Sequence, residues 1–173
     1  MTSTNPHEAY SQLRESITTH AFLGAIGTEI WRRRHFDAEI LRAEFDAGGY
    51  DLVIAANGVT RHIQLKTRIF SGKRASYGTS QRLADQPSGC VVVLHIDDAD
   101  LHIREYGLFA GPPGQPLPDI TSYRATKHTK ADSMGQKAVR KGRWEVPQSR
   151  FEIHEQVTEL YDALFGPEQT VTP

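Results

Sequence analysis

Hydrophobic and polar positions divide the chain into segments of contrasting period. From Pro6 to about His35 the spacing predicts helix: Phe22, Ile26 and Ile30 form one stripe, with Leu23 and Glu29 on its flanks. Asn5-Pro6-His7-Glu8 reads as the helix start, with Asn as cap and Pro in the first turn, and a break is expected near His20. Residues 38–45 alternate around Ile40 and predict a strand, and Asp46-Ala-Gly-Gly49 supplies a turn. Residues 51–56 and 59–67 read as two strands joined at Asn57-Gly58, because a type I′ turn needs positive φ at both central positions. The polar stretch 68–89 offers at most a short helix around Thr79–Gln86 and is long enough for a crossover connection. Val91–Ile96 reads as a buried central strand, with Leu101–Tyr106 as its neighbour across an acidic turn. Gly111–Pro118 is an irregular loop, the basic stretch after it reads as another, and Phe151–Ile153 is the expected last strand. Val157, Leu160, Tyr161, Leu164 and Phe165 define a closing helix that Gly166 and Pro167 terminate.

The Asn-Gly turn fixes a register. Ala56 faces Val59, and stepping back sets Ile54 against Arg61, Val53 against His62, Leu52 against Ile63 and Asp51 against Gln64. Opposed residues share a face, with Cβ atoms about 5 Å apart. Alternation adds Lys66 to the face of Asp51 and Gln64. Leu52, Ile54, Ile63 and Leu65 occupy the other face and read as core, where Arg61 is expected to reach solvent beside the turn. A carboxylate and an amide carbonyl are oxygen donors suited to a hard cation such as Mg²⁺. A nearby ammonium can orient an attacking water or stabilise charge developing on phosphate. The competing reading is a solvated sheet face. His62 lies on the same face, where it is either a phosphate or proton-shuttle contact or a structural histidine.

Composition narrows the class. A length of 173 residues, with 38% hydrophobic and 24% charged, fits one globular domain over 1–167, followed by a disordered tail at 168–173. The single cysteine, Cys90, opens an apolar run and is expected to be a buried structural thiol in a reducing compartment. Without a signal-peptide pattern or a membrane-length apolar run, the expected location is cytoplasmic, with no membrane partner. Net charge is only −1, but the cations are segregated. Arg61, Lys66, Arg68, Lys73 and Arg74 occur together without an acid, and Arg124, Lys127, Lys130, Lys137, Arg140, Lys141 and Arg143 are opposed only by Asp132. There is no phosphate-loop motif, no nucleophile elbow and no zinc-ligand spacing.

On these residues the chain resembles the PD-(D/E)xK nuclease superfamily in its Q-x-K form. The resemblance covers about residues 20–100: Glu29 on a helix, Asp51 at a strand start, and Gln64-Leu-Lys66 on the partner strand. It implies an α/β, restriction-endonuclease-like fold with a mixed central sheet flanked by helices. It also implies a metal-dependent endonuclease hydrolysing DNA phosphodiester bonds in restriction, repair or recombination, using Mg²⁺ or Mn²⁺. Asp51, Gln64 and Glu29 would hold the metal and Lys66 would activate or orient water. Tyr50 stands in place of the motif's proline, and Gln64 in place of an acid, which removes one negative charge. A four-residue turn at 46–49 would set Glu44 opposite Asp51, making it the alternative acid. Arg68, Lys73, Arg74, Lys127, Lys130, Lys137 and Arg140 would hold duplex or branched DNA. A homodimer is a further expectation, since many members cut both strands. The alternatives are a catalytically inactive nucleic-acid-binding module of the same fold and an interaction protein with no nucleic-acid role.

Overall fold

The computed structural model describes residues 6–45, 47–127 and 138–167. A single helical turn, α1 (Pro6–Ala9), leads into α2 (Ser11–Arg32), then β1 (Glu39–Arg42), β2 (Leu52–Ala56) and β3 (Val59–Ile69). The connection onward contains β4 (Ser76–Ser80) and a short α3 (Gln81–Ala84), and returns the chain to β5 (Gly89–Ile96) and β6 (Ile103–Ala110). β7 (Ala125–Lys127), β8 (Val139–Pro147), β9 (Glu152–His154) and α4 (Val157–Phe165) complete the set.

Six strands form the main sheet in the order β1-β2-β3-β5-β6-β9, and β4-β8-β7 form a second, smaller sheet. Only β3 and β5 run parallel in the main sheet. A parallel pair needs a long crossover, and the chain uses it to build β4 and α3. The central sheet is therefore mixed, as expected, with α2 and α4 on one face. The opposite face is covered by the small sheet and α3, not by long helices. Two cores result. Phe22, Ile26, Ile54, Ile63, Val92, Leu94, Leu160 and Leu164 pack under the helices. Tyr77, Leu83, Val91, Val93, Phe109 and Val146 pack under the small sheet. β5 supplies alternate residues to each, and all eight of its residues are buried. Cys90 is among them, and burial pushes its thiol up to about 12, which makes it inert at neutral pH.

The hairpin has the register read from the turn. Leu52 pairs with Ile63, Val53 with His62 and Ala56 with Val59. Asn57 and Gly58 sit at φ 51° and 72°. Four other expectations change. α2 runs unbroken through His20, whose Nδ1 lies 2.7 Å from the Ser16 carbonyl. The segments read as loops at 68–89 and 124–143 contribute β4, β7 and β8, paired with one another. Arg61 does not reach solvent; it is 0% exposed. Its guanidinium donates to the carbonyls of Leu164 at 2.8 Å, Gly111 at 3.0 Å and Ala163 at 3.4 Å. α4 lies over that end of the hairpin, and its last carbonyls lack partners within the helix. Asn57 Nδ2 also donates to the Phe165 carbonyl at 2.9 Å, so the hairpin tip caps the helix.

Glu29 is the fourth change. It is 5% exposed and accepts from Arg32 Nη2 at 2.7 Å, Arg33 Nε at 3.2 Å and Thr158 Oγ1 at 3.1 Å. Arg33 also donates to Asp162 at 2.5 Å. This network fastens α2 to α4. Hydrogen bonding from Arg32, aided by Arg33 and Thr158, holds the Glu29 carboxyl below its ordinary range against the opposing effect of burial. A depressed carboxyl stabilises the fold above its unfolded pKa and loses that contribution as pH falls through the folded one. Wild-type stability is therefore expected to fall below about pH 4.5, and Glu29→Gln to flatten that acid limb in denaturant titrations. An unchanged acid limb in the variant would contradict this role.

Among the described residues no helix is long and apolar enough to cross a membrane. The expected N-cap Asn5 and the tail 168–173 lie outside the described residues, as do Asp46, Lys130, Asp132 and Lys137.

Candidate active site

β2 is shorter than β3, and the site forms where β2 ends. The ladder between them stops at Leu52 and Ile63, while β3 continues to Ile69 with β5 as its partner on the other edge. Asp51 N–H donates to the Ile63 carbonyl at 2.9 Å, and Asp51 Oδ2 accepts the Leu65 N–H at 2.7 Å. A side-chain carboxylate thus replaces the missing strand at the first open position of β3. In a strand the carbonyl of a residue points to the same edge as its N–H, so the Leu65 carbonyl faces this opening too.

Gln64 is 5% exposed, and its Oε1 is buried with no hydrogen-bond donor. Such an acceptor carries a desolvation cost of about 1–3 kcal/mol unless something satisfies it. His62, two residues earlier on the same face, packs edge-on against Tyr50 with ring centroids 5.0 Å apart. Burial lowers its pKa, which keeps the ring neutral at pH 7, and its Nδ1 is also buried without a partner. Its packing is that of a structural histidine in the site's floor. Gly49 delivers the chain to Tyr50 and Asp51 at φ 77°, and a Cβ there would stand 3.0 Å from the Leu83 nitrogen. Only glycine fits that approach.

Lys66 lines a cavity of about 220 Å³ together with Arg14, Glu15, Thr19, Leu65, Thr67 and Arg74. The contact between Thr18 Oγ1 and Thr67 Oγ1, 3.3 Å, sets α2 against β3, and Glu15, one turn earlier, lines the same cavity as Lys66. Glu29 is fourteen residues further along α2, about 21 Å at the helical rise, and engaged with α4. Of these two acids of α2, Glu15 lines the cavity of Lys66 and Glu29 does not. Spacing within the sequence pointed to Glu29's other role, since Arg32 and Arg33 follow it at i+3 and i+4. No local pattern identifies Glu15, because the end of α2 that meets Lys66 is decided by packing.

Glu44 is displaced for a different reason. β1 pairs Arg42 with Leu52, and Ala43 N–H donates to the Asp51 carbonyl at 2.9 Å. The ladder is one residue off the expected register, because the chain between Arg42 and Leu52 has an odd number of residues. A one-residue slip moves every side chain to the opposite face. Ala43 takes the position opposite Asp51, and Glu44 is exposed in a bend. Glu15→Gln is accordingly expected to weaken Mn²⁺ binding several-fold in titration calorimetry. Glu29→Gln and Glu44→Gln are expected to leave it within about twofold of wild type. A larger loss from either of those two variants would remove Glu15 from the site.

The donor set suits a hard cation: one carboxylate, the orphaned Gln64 oxygen and a strand-edge carbonyl. Among the described residues no group of three or more His, Cys, Asp or Glu side chains is arranged to hold a metal. Neutral oxygens would therefore have to complete the shell.

Cations continue along β3. Arg68, two residues past Lys66, donates to the Gly72 carbonyl at 2.5 Å, while its Nε and Nη1 are buried without a partner. Arg68, Lys73 and Arg74 line one cavity with Ala75 and Gln148. Arg140 belongs to a second basic cavity with Arg82, Lys141 and Arg143. Of these, Arg82 was not anticipated. Lys127 is exposed at the end of β7, and Lys130 and Lys137 lie outside the described residues.

No family model matches the sequence, and no curated protein does. Among solved structures, that of a bacterial homing endonuclease is similar over 65% of this chain and 80% of its own, at 20% identity and a TM-score of 0.30. At that score the likeness carries no argument about this chain.

Proposed function

We propose that the chain is a metal-dependent endonuclease of the PD-(D/E)xK type, Q-x-K variant, that hydrolyses DNA phosphodiester bonds. The observation carrying this reading is the opening of β3 at Leu65. Asp51 is tied to the main chain there, and Gln64 presents a buried oxygen with no donor. Asp51, Gln64 and the Leu65 carbonyl would hold Mg²⁺ or Mn²⁺. When bound, the ion supplies Lewis-acid polarisation of a phosphoryl oxygen.

The chain's own residues do the rest. Asp51 stays fixed because Leu65 N–H anchors one of its oxygens. Lys66 projects from the strand that carries Gln64, and its ammonium orients a water toward phosphorus and offsets the charge gathering on the phosphate. Glu15 lines the cavity of Lys66 and completes its electrostatic surroundings. In the reaction a water oxygen forms the new bond to phosphorus, the bond to one ester oxygen breaks, and that oxygen takes up a proton. Arg68, Lys73 and Arg74 would hold the neighbouring backbone, which gives affinity without sequence information.

Chelation tests the metal requirement. EDTA is expected to stop cleavage and added Mg²⁺ or Mn²⁺ to restore it. Cleavage that survives exhaustive chelation would overturn this reading. A second reading has its own support: with a glutamine in place of an acid and no three-residue cluster of ligating side chains among the described residues, the same surface would serve a nucleic-acid-binding module without turnover.

A further inference from the structure

The main sheet ends at β1, and apolar surface collects at that edge. Among the described residues, five of the eleven exposed large hydrophobic side chains fall between positions 31 and 45: Trp31, Phe36, Ile40, Leu41 and Phe45. β1 pairs with β2 and is the terminal strand of the sheet, and all four of its residues are exposed. Trp31 and Phe36, with ring centroids 5.4 Å apart, precede it and Phe45 follows it. The three rings are 73%, 67% and 75% exposed. Edge strands are usually blunted by a proline, a lysine or a bulge. Glu39-Ile40-Leu41-Arg42 has none of these, and its register with β2 is continuous.

We propose that this edge binds a second copy of the chain, β1 pairing antiparallel with its counterpart about a two-fold axis at Leu41. Such an axis stands perpendicular to the sheet, keeps each face on its own side, and so passes level with a residue. The Ala43 N–H donates to the Asp51 carbonyl at 2.9 Å, which turns the main-chain groups of Glu39, Leu41 and Ala43 toward β2. Ile40 and Arg42 therefore turn theirs outward, and a partner strand must meet those two. A centre on Glu39 or Arg42 would oppose like charges. A centre on Ile40 would need the Ala38 N–H for Arg42, and that group already donates to the His35 carbonyl at 3.1 Å. With the centre on Leu41, Ile40 of each copy exchanges two hydrogen bonds with Arg42 of the other. Leu41 then meets Leu41 of the second copy, and Glu39 faces Ala43, so no like charges are opposed.

The same register gathers the flanking aromatics. Phe45 of one copy comes level with Asp37 of the other, next to Phe36. The three rings leave roughly 400 Å² open per copy. Two copies, with Ile40 and Leu41 added, reach the order of 1,000 Å², the area a specific interface has to clear. The axis also leaves the two Asp51 residues facing the same way. Each lies one strand in from β1, opposite Ala43 and thus two residues from the axis. At the usual strand spacing and rise they stand about 20 Å apart on one joined sheet. One duplex can lie across both. That last step rests on the proposed function; the pairing of β1 does not.

Leu41→Lys tests the pairing, because it sets two ammonium groups against each other at a position 57% exposed, where the fold tolerates a lysine. In sedimentation equilibrium at about 50 µM, wild type is expected to be at least half dimeric and Leu41→Lys monomeric. Cysteine crosslinking reads the register, since Cys90 is buried and does not compete. Under oxidised glutathione Leu41→Cys is expected to form an intermolecular disulfide, its opposed Cα atoms being about 4.5 Å apart. Glu39→Cys, opposite Ala43, is expected to form none. A monomeric wild type, a dimer equally tight in Leu41→Lys, or equal crosslinking of the two cysteine variants would overturn the pairing. Where wild type cuts both strands of a duplex, Leu41→Lys is expected to leave mostly nicks, and unchanged double-strand cutting would overturn the shared duplex. The association readouts need no cleavage. A dimer that never cuts overturns only the nuclease reading, and a monomer that cuts overturns only the pairing.

Discussion

Arg61→Ala is expected to destabilise the protein by about 3–5 kcal/mol, because it empties a fully buried position and takes the donor from several acceptors at once. The residue has no accessible surface, and its five hydrogen-bond acceptors come from three separate segments. Leu164 and Ala163 belong to the end of α4, Gly111 and Gln115 to the loop after β6, and Ser88 to the turn before β5. Truncation takes the donor from the buried Leu164 carbonyl and Ser88 hydroxyl and from three part-buried carbonyls, and each buried orphan costs about 1–3 kcal/mol. Burial lowers the Arg61 pKa, yet the group stays charged, so the carbonyls face a true cation. For a chain of this size the loss corresponds to a Tm lowered by roughly 6–20 °C. Arg61→Lys should recover only part of it, because a single ammonium cannot span the fork of acceptors. Calorimetry of the two variants checks this, and a Tm within about 2 °C of wild type for Arg61→Ala would show that water can replace the guanidinium.

Lys66→Ala is expected to reduce cleavage about 10³-fold or more while weakening DNA binding only several-fold. The asymmetry follows from the two tasks. A preorganised cation aimed at developing charge is worth most in the transition state, where one removed group costs about 10²–10³-fold, and loss of water positioning adds to that. In the ground state Lys66 would be one phosphate contact among several, since Arg74 lines its cavity and also the next one, with Arg68 and Lys73. Its removal should lower the salt slope by about one. Equal losses of binding and cleavage would mean that Lys66 serves affinity alone, which favours the binding-module reading.

Local rules located the hairpin because its turn chemistry leaves one solution. Asn57-Gly58 fixes the ladder, which runs from Ala56 and Val59 to Leu52 and Ile63 as the turn requires. β5 and α4 were legible for similar reasons: an unbroken apolar run with both faces covered, and an apolar period ended by Gly166. What failed depended on contacts between distant segments. Arg61 was placed on the right face, but nothing near it reveals that α4 closes over that face and needs its carbonyls capped. The Glu44 position turned on whether a loop holds an even or odd number of residues, a difference that hydrophobic pattern does not register. Glu29 and Glu15 both lie on α2, and which one meets Lys66 depends on where that helix crosses β3. β4, β7 and β8 carry few apolar residues, Tyr77, Trp144 and Val146 among them, set between small and charged ones, and Gly142 interrupts the longest strand.

The most direct test of the Asp51–Gln64–Lys66 centre is a cleavage assay on duplex, single-stranded and branched DNA, and on RNA. Each substrate is incubated with Mg²⁺ or Mn²⁺ and with wild type or Asp51→Ala protein purified in parallel. The expected result is metal-dependent cutting of at least one DNA substrate by wild type and none by Asp51→Ala. Equal cutting by both proteins, or none by wild type on any substrate, would contradict a hydrolytic role for these residues.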